Sequence, residues 1–262
     1  MDLQLRDAGV VLSGASGALG HAIARAFASE GARLVLLARK PAALESLVAE
    51  ISATGAPRPL ALNCDLSSAS STDAAIEAAE RALGAIDVLV LAAGAAQGGI
   101  FWDIDDAAWQ RNLDTKLFGS IRSLRAVAPR MTARGRGRIV VIAGNSARLP
   151  EPRMLPGAVA NAGLLAIVRG LAEELGPHGV AINALNPGPV RSTRWQRMMQ
   201  AEAERAGTTV DVAEAPFLAK SALRRLATAE EVAQHVLFLA SPRAAHLTGT
   251  SLTVDGGSTK SP

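Results

Sequence analysis

The sequence predicts an α/β domain, a doubly wound parallel sheet with helices on both faces, and three observations carry that expectation. Short apolar runs alternate with longer helical stretches from end to end. Runs such as DVLVLA and RIVVIA are continuously hydrophobic, as strands covered on both faces should be. A glycine-rich turn leads directly from the first run into a helical stretch. Alternation of this kind requires right-handed crossovers and gives one open sheet. The 262 residues are within reach of a single large domain, and no composition shift marks a linker, so residues 1–262 read as one domain.

In chain order, Val10–Ser13 reads as the first strand and Gly20–Glu30 as a helix with Ile23, Ala26 and Phe27 on its apolar face. Leu34–Ala38 is a second strand, and Pro41–Thr54 a helix opened by proline in its first turn. Leu60–Asp65 is a strand, Ser71–Leu83 a helix and Asp87–Ala92 a fourth strand. Helix is expected over Asp106–Arg134, broken near Gly119. Arg138–Ala143 is the fifth strand, Gly157–Leu175 a long helix and Val180–Asn186 the sixth strand. A polar, less patterned stretch occupies 191–227; Glu230–Ala240 is helix and Ser251–Val254 the last strand.

Composition narrows the function classes. Hydrophobic residues make up 49% of the chain, and Lys plus Arg number 27 against 24 acids. The charges are interspersed, and the densest basic cluster, Arg130–Arg138, is broken by glycines and reads as a solvated loop rather than a nucleic-acid site. The single cysteine, Cys64, excludes an internal disulfide and suits a reducing compartment. The first residues lack a basic segment followed by an apolar one, and no uninterrupted apolar run approaches the ~20 residues of a membrane span. A cytoplasmic protein with no membrane partner is expected.

The turn Ser13-Gly14-Ala15-Ser16-Gly17-Ala18-Leu19-Gly20 is the first functional signal. Glycines there let the backbone turn sharply and approach a pyrophosphate, while free N–H groups at the helix start meet its charge. The end of the second strand bears on cofactor choice. A carboxylate there would hydrogen-bond a ribose 2′-hydroxyl, but this chain has Ala38 followed by Arg39 and Lys40. Arg39 is suited to a 2′-phosphate, which favours NADP(H) over NAD(H). The plainer alternative is that Arg39 and Lys40 only solvate a strand end.

The turn resembles the TGxxxGxG motif of the short-chain dehydrogenase/reductase family, with Ser13 for threonine and Ala18 for the middle glycine. CDL at Cys64–Leu66, AAG at Ala92–Gly94, NPGPV at Asn186–Val190 and LTGTSLTVDGG at Leu247–Gly257 follow in the family's order. The likeness spans the chain, is closest to the classical, FabG-like branch, and implies a Rossmann-like fold. It further implies that Ser13, Gly14, Ser16, Gly17, Leu19 and Gly20 cradle the pyrophosphate. Asp65 and the Leu66 backbone would meet adenine, with Ala92, Ala93 and Gly94 beside the ribose. Pro187, Gly188, Val190 and Ser192 would face the nicotinamide. For Asp65, a helix N-cap or a plain turn residue before Ser67 is the alternative.

The same resemblance implies a Ser, Tyr, Lys and Asn tetrad, and here the chain departs from it. There is no tyrosine anywhere in the sequence. Gly144 stands at the serine position, with Ser146 the next hydroxyl; Gly157 stands at the tyrosine, Asn161 at the lysine and Lys116 at the asparagine. Asn161 and Lys116 are complementary changes on facing walls, so Lys116 is expected to supply the missing charge from the opposite side. Drift after loss of catalysis, with Lys116 reaching to solvent, is the alternative. The resemblance implies that the stretch 191–227 corresponds to the family's substrate lid. Trp195, Met198, Met199 and Phe217 could form an apolar wall there, and Arg191, Arg194 and Arg197 could meet a substrate anion. An ordinary amphipathic helix with a solvated basic face is the alternative.

These readings lead to an NADP(H)-dependent oxidoreductase acting on a small carbonyl or conjugated substrate through a tyrosine-independent site built on Lys116, Ser146 and Asn161. A non-catalytic NADP(H)-binding sensor or partner subunit is the competing function. No metal-ligand spacing is present. The long helix, with small Ala158, Ala162 and Ala166, resembles the surface through which relatives form dimers or tetramers.

Overall fold

A computed structural model describes residues 2–94 and 98–260. The strands β1 (Gly9–Ser13), β2 (Arg33–Ala38), β3 (Leu60–Asn63), β4 (Val88–Leu91), β5 (Gly137–Ile142), β6 (Val180–Pro187) and β7 (Ser251–Val254) form one sheet in the order 3-2-1-4-5-6-7. Every neighbouring pair is parallel. The chain starts at the sheet's centre, winds to one edge, returns and winds to the other. The order reverses between β1 and β4, which opens a crevice at the carboxyl ends of those strands.

Helices cover both faces because successive strand residues point to opposite sides. Val10, Leu12, Leu34, Leu36, Val88, Val90 and Val140 meet α1 (Ala18–Ser29), α2 (Glu45–Ala53) and α9 (Ala229–Ala240) through Ile23, Phe27, Leu47, Ile51, Val232 and Val236. The intervening Val11, Val35, Leu37, Leu89, Leu91, Ile139 and Val141 meet α3 (Ala69–Leu83), α5 (Gly119–Ala133) and α6 (Leu155–Leu175) through Ile76, Leu124, Val127, Leu164 and Val168. Each fully buried Leu, Ile or Phe in these layers contributes about 1.5–3 kcal/mol of transfer free energy.

The structure departs from the sequence reading in four places. The helix expected over Asp106–Arg134 is not broken at Gly119: α4 (Asp106–Leu113) widens into a π-helical turn, Asp114–Phe118, and continues as α5. The residues 191–227 are better ordered than their weak pattern suggested, holding α7 (Thr193–Ala206) and α8 (Val210–Lys220). The basic cluster is not a bare loop: Arg130 and Arg134 pair with Glu80 at 2.8 and 3.9 Å, and Arg136 with Asp87 at 3.7 Å. Ala158 is buried within its own protomer, while Ala162 and Ala166 are exposed.

Among the described residues, the segment Leu155–His178 is long and apolar enough by composition to cross a membrane, with mean hydropathy 1.5. It is a core helix instead, packing Leu164, Val168, Ala172 and Leu175 into the second apolar layer.

Candidate functional site

The glycine turn joins β1 to α1, and its conformation explains its composition. Gly14 has φ +72°, and a Cβ there would lie 2.6 Å from the Ala92 carbonyl carbon and the Ala93 nitrogen. A Cβ on Gly20 would lie 2.2 Å from the Gly14 carbonyl oxygen. Side chains are thus excluded where the backbone folds under β4. Gly17 N–H donates to Gly14 O at 3.1 Å, and no side chain caps the first turn of α1. The helix-start N–H groups around Ala18 and Leu19 stay open to an anion, beside exposed Ser16 and Gly17. The residues therefore fit a dinucleotide pyrophosphate. The Ser13 hydroxyl is buried and turns towards Val90 O at 3.5 Å, so Ser13 reaches this cradle through its backbone.

Arg39 and Lys40 are exposed just beyond β2, and Asn63 fixes the Arg39 carbonyl with a 2.7 Å hydrogen bond. The Asp65 carboxylate accepts from the Ser67 hydroxyl at 2.7 Å and the Ser67 N–H at 3.0 Å. Those bonds, with Arg39 and Arg122 assisting, hold its pKa below the ordinary carboxylate value. The cap of α3 is Ser68 rather than Asp65. Leu66 is buried, and its carbonyl accepts from Arg122 at 2.8 Å. At the crevice's other side, Pro187 ends β6, Gly188 follows it, and Val190 bridges to Ala227. The Ser192 hydroxyl caps α7 by accepting from Trp195 N–H at 3.2 Å.

The positions read as the reacting end converge on the terminus of β5. The π turn rests on α6 where Leu117 meets Gly163, and it turns Lys116 inward. The Lys116 stem packs against Gly94, where a Cβ would lie 2.8 Å from the lysine Cβ. The Lys116 Nζ donates to Ala143 O at 2.9 Å. Enclosure away from water, and then the like charge of Arg194, push its pKa down to about 8.

Asn161, one helical turn beyond Gly157 on α6, reaches the turn Asn145–Ala147 that follows the same strand end. Its Nδ2 donates to the Ser146 hydroxyl at 2.8 Å, while its buried Oδ1 has no hydrogen-bond partner. Gly144 has φ +146°, and a Cβ there would lie 2.8 Å from Asn161 Nδ2. Glycine at 144 and asparagine at 161 are therefore sterically matched. Gly157 is buried.

In the segment 191–227 the amphipathic-helix alternative describes α7, which buries Trp195, Met199 and Ala203 on one face. Trp195, Met199 and Leu226 are buried together, with Met198, Phe217 and Leu218 against them. Trp195 and Phe217 stack edge to face at 5.1 Å, and Trp195 Nε1 donates to Glu214 at 2.5 Å. These side chains build a small core of their own between α7, α8 and the segment that follows. The end of α8 is tied to the β5–α6 loop by Lys220 and Glu151 at 2.7 Å.

One structural link went unread in the sequence. The Asp255 carboxylate collects the N–H groups of Gly257, Ser258 and Thr259 and the Thr259 hydroxyl, and it also accepts from the Asn145 side chain. Burial opposes its ionisation, yet these bonds hold its pKa below the ordinary value. It fastens the end of β7 to the turn carrying Ser146, across Gly188, where a Cβ would meet Asp255 at 2.8 Å. The Asp-Gly-Gly-Ser-Thr run was the available signal. A groove of about 590 Å³ lined by Arg6, Arg25, Glu50 and Pro57 lies at the other end of α1, away from all this chemistry.

Comparison with known proteins agrees with this architecture. A family profile described as enoyl-(acyl carrier protein) reductase matches residues 14–259. The chain is 32% identical over 261 residues to the uncharacterized oxidoreductase YvrD of Bacillus subtilis, covering 98% of each. L-sorbose reductase from Gluconobacter frateurii, solved with NADPH and L-sorbose, superposes over 100% of both chains with TM-score 0.93 and 28% identity. NAD+-bound xylitol dehydrogenase superposes over 97% of this chain and 100% of its own with TM-score 0.91 and 26% identity. The matched profile and the full-length relatives settle the assignment: the chain belongs to the short-chain dehydrogenase/reductase family.

Proposed function

We propose that this protein is an NADP(H)-dependent oxidoreductase that reduces a small carbonyl or conjugated substrate without a tyrosine, using Lys116. The inward Lys116 ammonium at the end of β5 is the observation that carries the reading. A pKa of about 8 leaves it mostly protonated near neutrality and able to release that proton readily. In this reading Lys116 holds the substrate oxygen and hands it a proton, and Ala143 O aims the ammonium. Asn161 and Ser146 form a polar pair beside it, with the free Asn161 Oδ1 accepting from a hydroxyl of the bound cofactor or substrate. When bound, the nicotinamide supplies the hydride.

Preference for NADP(H) is supported by Arg39 beyond Ala38, where no carboxylate opposes a 2′-phosphate. Relatives of both kinds exist: the sorbose reductase was solved with NADPH and the xylitol dehydrogenase with NAD+. Titration of NADPH and NADH against wild type and Arg39→Ala tests the choice. The expected result is at least about tenfold tighter NADPH binding in wild type, or ~1.4 kcal/mol, largely lost in the variant. Equal affinity for both cofactors in wild type rejects it.

The non-catalytic sensor or partner-subunit reading is favoured by one observation, the mutual hydrogen bond of Asn161 and Ser146, which closes polar groups of the site on each other. NADPH binding with no reduction across a carbonyl and enone panel would select it. A cytoplasmic location and a homodimer or homotetramer belong to the same proposal. They rest on the single buried thiol Cys64, on exposed Phe118 and Val159 beside small Ala162 and Ala166, and on β7 as an edge strand. A monomeric mass by light scattering at micromolar concentration contradicts the assembly.

A further inference from the structure

We propose that Lys116 is a carbonyl-capturing amine: its Nζ condenses with a conjugated aldehyde at the end of β5 and holds it as an imine. Capture itself needs no cofactor, and only its use in reduction rests on the reductase reading. The lysines of the chain are Lys40, Lys116, Lys220 and Lys260. Lys40, Lys220 and Lys260 are exposed, and Lys220 is held by Glu151 at 2.7 Å. Lys116 is placed differently. Its stem packs on Gly94, where a Cβ would lie 2.8–2.9 Å from the lysine Cβ, Cγ and Cδ. Its Nζ is fixed by a main-chain carbonyl, Ala143 O, at 2.9 Å. Among the described residues no carboxylate lies within ion-pair distance of it.

These surroundings favour a nucleophile. A carboxylate partner would hold the amine protonated and unreactive, whereas a carbonyl oxygen also accepts from a neutral amine. An enclosed ammonium without a counter-charge is costly, and the neutral amine, which attacks carbonyl carbon, escapes that cost. The lowered pKa of Lys116 agrees in direction. Room for the electrophile comes from what the neighbours lack. Gly94 under the stem, Ala143 at the Nζ and Gly144 after it carry no side chain beyond a methyl. Lys116 is half-buried rather than sealed. A slender aldehyde suits such a place better than a ketone with two substituents.

The bond changes balance. Attack forms the N–C bond, the carbonyl oxygen leaves as water with both amine protons, and one proton from solvent makes the iminium. An oxygen that has left needs no phenol to protonate it, and the chain has no tyrosine. Conjugation is what permits turnover. Hydride from bound NADPH at the β-carbon of the iminium leaves a neutral enamine. The enamine takes a proton from water at its α-carbon and hydrolyses to the saturated aldehyde and free Lys116. An unconjugated aldehyde would end instead as a secondary amine on the lysine.

The test is reductive trapping at neutral pH: the purified protein, without added cofactor, is treated with butanal and cyanoborohydride and its peptides are weighed at early times. Lys116 is expected to be alkylated at least about tenfold faster than Lys40, Lys220 and Lys260, which act as references within the same chain. Lys116→Arg, which keeps a cation but forms no imine, should leave only the slow sites. Lys220→Arg should leave the fast one. Labelling of Lys116 no faster than the exposed lysines overturns the proposal. In a second arm, wild type with NADPH should convert crotonaldehyde to butanal, and Lys116→Arg should lose about a hundredfold or more of that rate. Turnover retained in Lys116→Arg overturns reduction through the imine. Fast trapping in a wild type that reduces no crotonaldehyde upholds capture and counts against the reductase reading alone.

Discussion

The glycine turn after β1 and the lysine-bearing wall around the end of β5 lie on the same edge of one sheet, yet they are built on different principles. At the glycine turn the backbone does the work. A Cβ on Gly14 or Gly20 would lie 2.6 or 2.2 Å from main-chain atoms, so almost nothing else can stand there. Around β5 the work falls to side chains from three elements: Lys116 from the π turn, Asn161 from α6 and Ser146 from the loop between. A charge can arrive from either wall of such a cleft. The contrast teaches that a family's cofactor end constrains each residue singly, whereas its reacting end constrains only the sum.

That contrast can be broken first at its stiffest point. Gly14→Val places a branched side chain at φ +72° against Ala92. A loss of about 2–6 kcal/mol of stability is expected, from backbone strain plus overpacking, with NADPH binding abolished. Thermal melting with and without NADPH measures both, and a variant that melts like wild type would remove the steric account of the turn.

Gly144→Ser is the milder counterpart at the other region. It restores the family's residue type, but at φ +146° and 2.8 Å from Asn161 Nδ2. About 1–3 kcal/mol of destabilisation is expected by denaturant unfolding, relieved in part by Asn161→Ala. Restoring tyrosine alone, as Gly157→Tyr, should not create ordinary ketone reduction, because no lysine follows it one turn later to lower the phenol pKa. A gain of ketone reduction in that variant would show that Lys116 already serves both roles.

The smallest and most diagnostic effect is with pH. If the Lys116 ammonium is the proton source, kcat/KM for reduction is full below its pKa and declines about tenfold per unit above about 8. The groups around it are Arg194 from α7, the Ala143 carbonyl just past β5 and neutral Asn161 from α6, while Asp114 is engaged by Arg122. Lys116→Arg should move the decline to higher pH, and an unmoved limb would assign it elsewhere.

Much of the fold could be read in advance, because strand alternation and glycine turns are local. All seven strands fall within a residue or two of their expected places. The π turn was not legible, since its pattern matches an ordinary helix until packing against α6 widens it and swings Lys116 inward. The packing within 191–227 was illegible for a related reason. Trp195, Met199 and Phe217 are far enough apart in sequence that only the folding of α7 onto α8 shows them to be each other's core. The Asn145–Asp255 link spans over a hundred residues and follows no period at all. At the site, residue identities were readable but their partners were not, because a hydrogen bond between Asn161 and Ser146 depends on the shape of an intervening loop.

The most direct test of the account is Lys116→Met, read for reduction, cofactor affinity and stability in one set of samples. Wild type should reduce at least one member of a carbonyl and enone panel with NADPH. The variant should lose about a hundredfold or more in kcat while its NADPH Kd stays within about threefold. It should also melt a few degrees higher, because an enclosed cation without a counter-charge has been removed. Unchanged turnover in Lys116→Met, or NADPH binding by a wild type that reduces nothing, would contradict it.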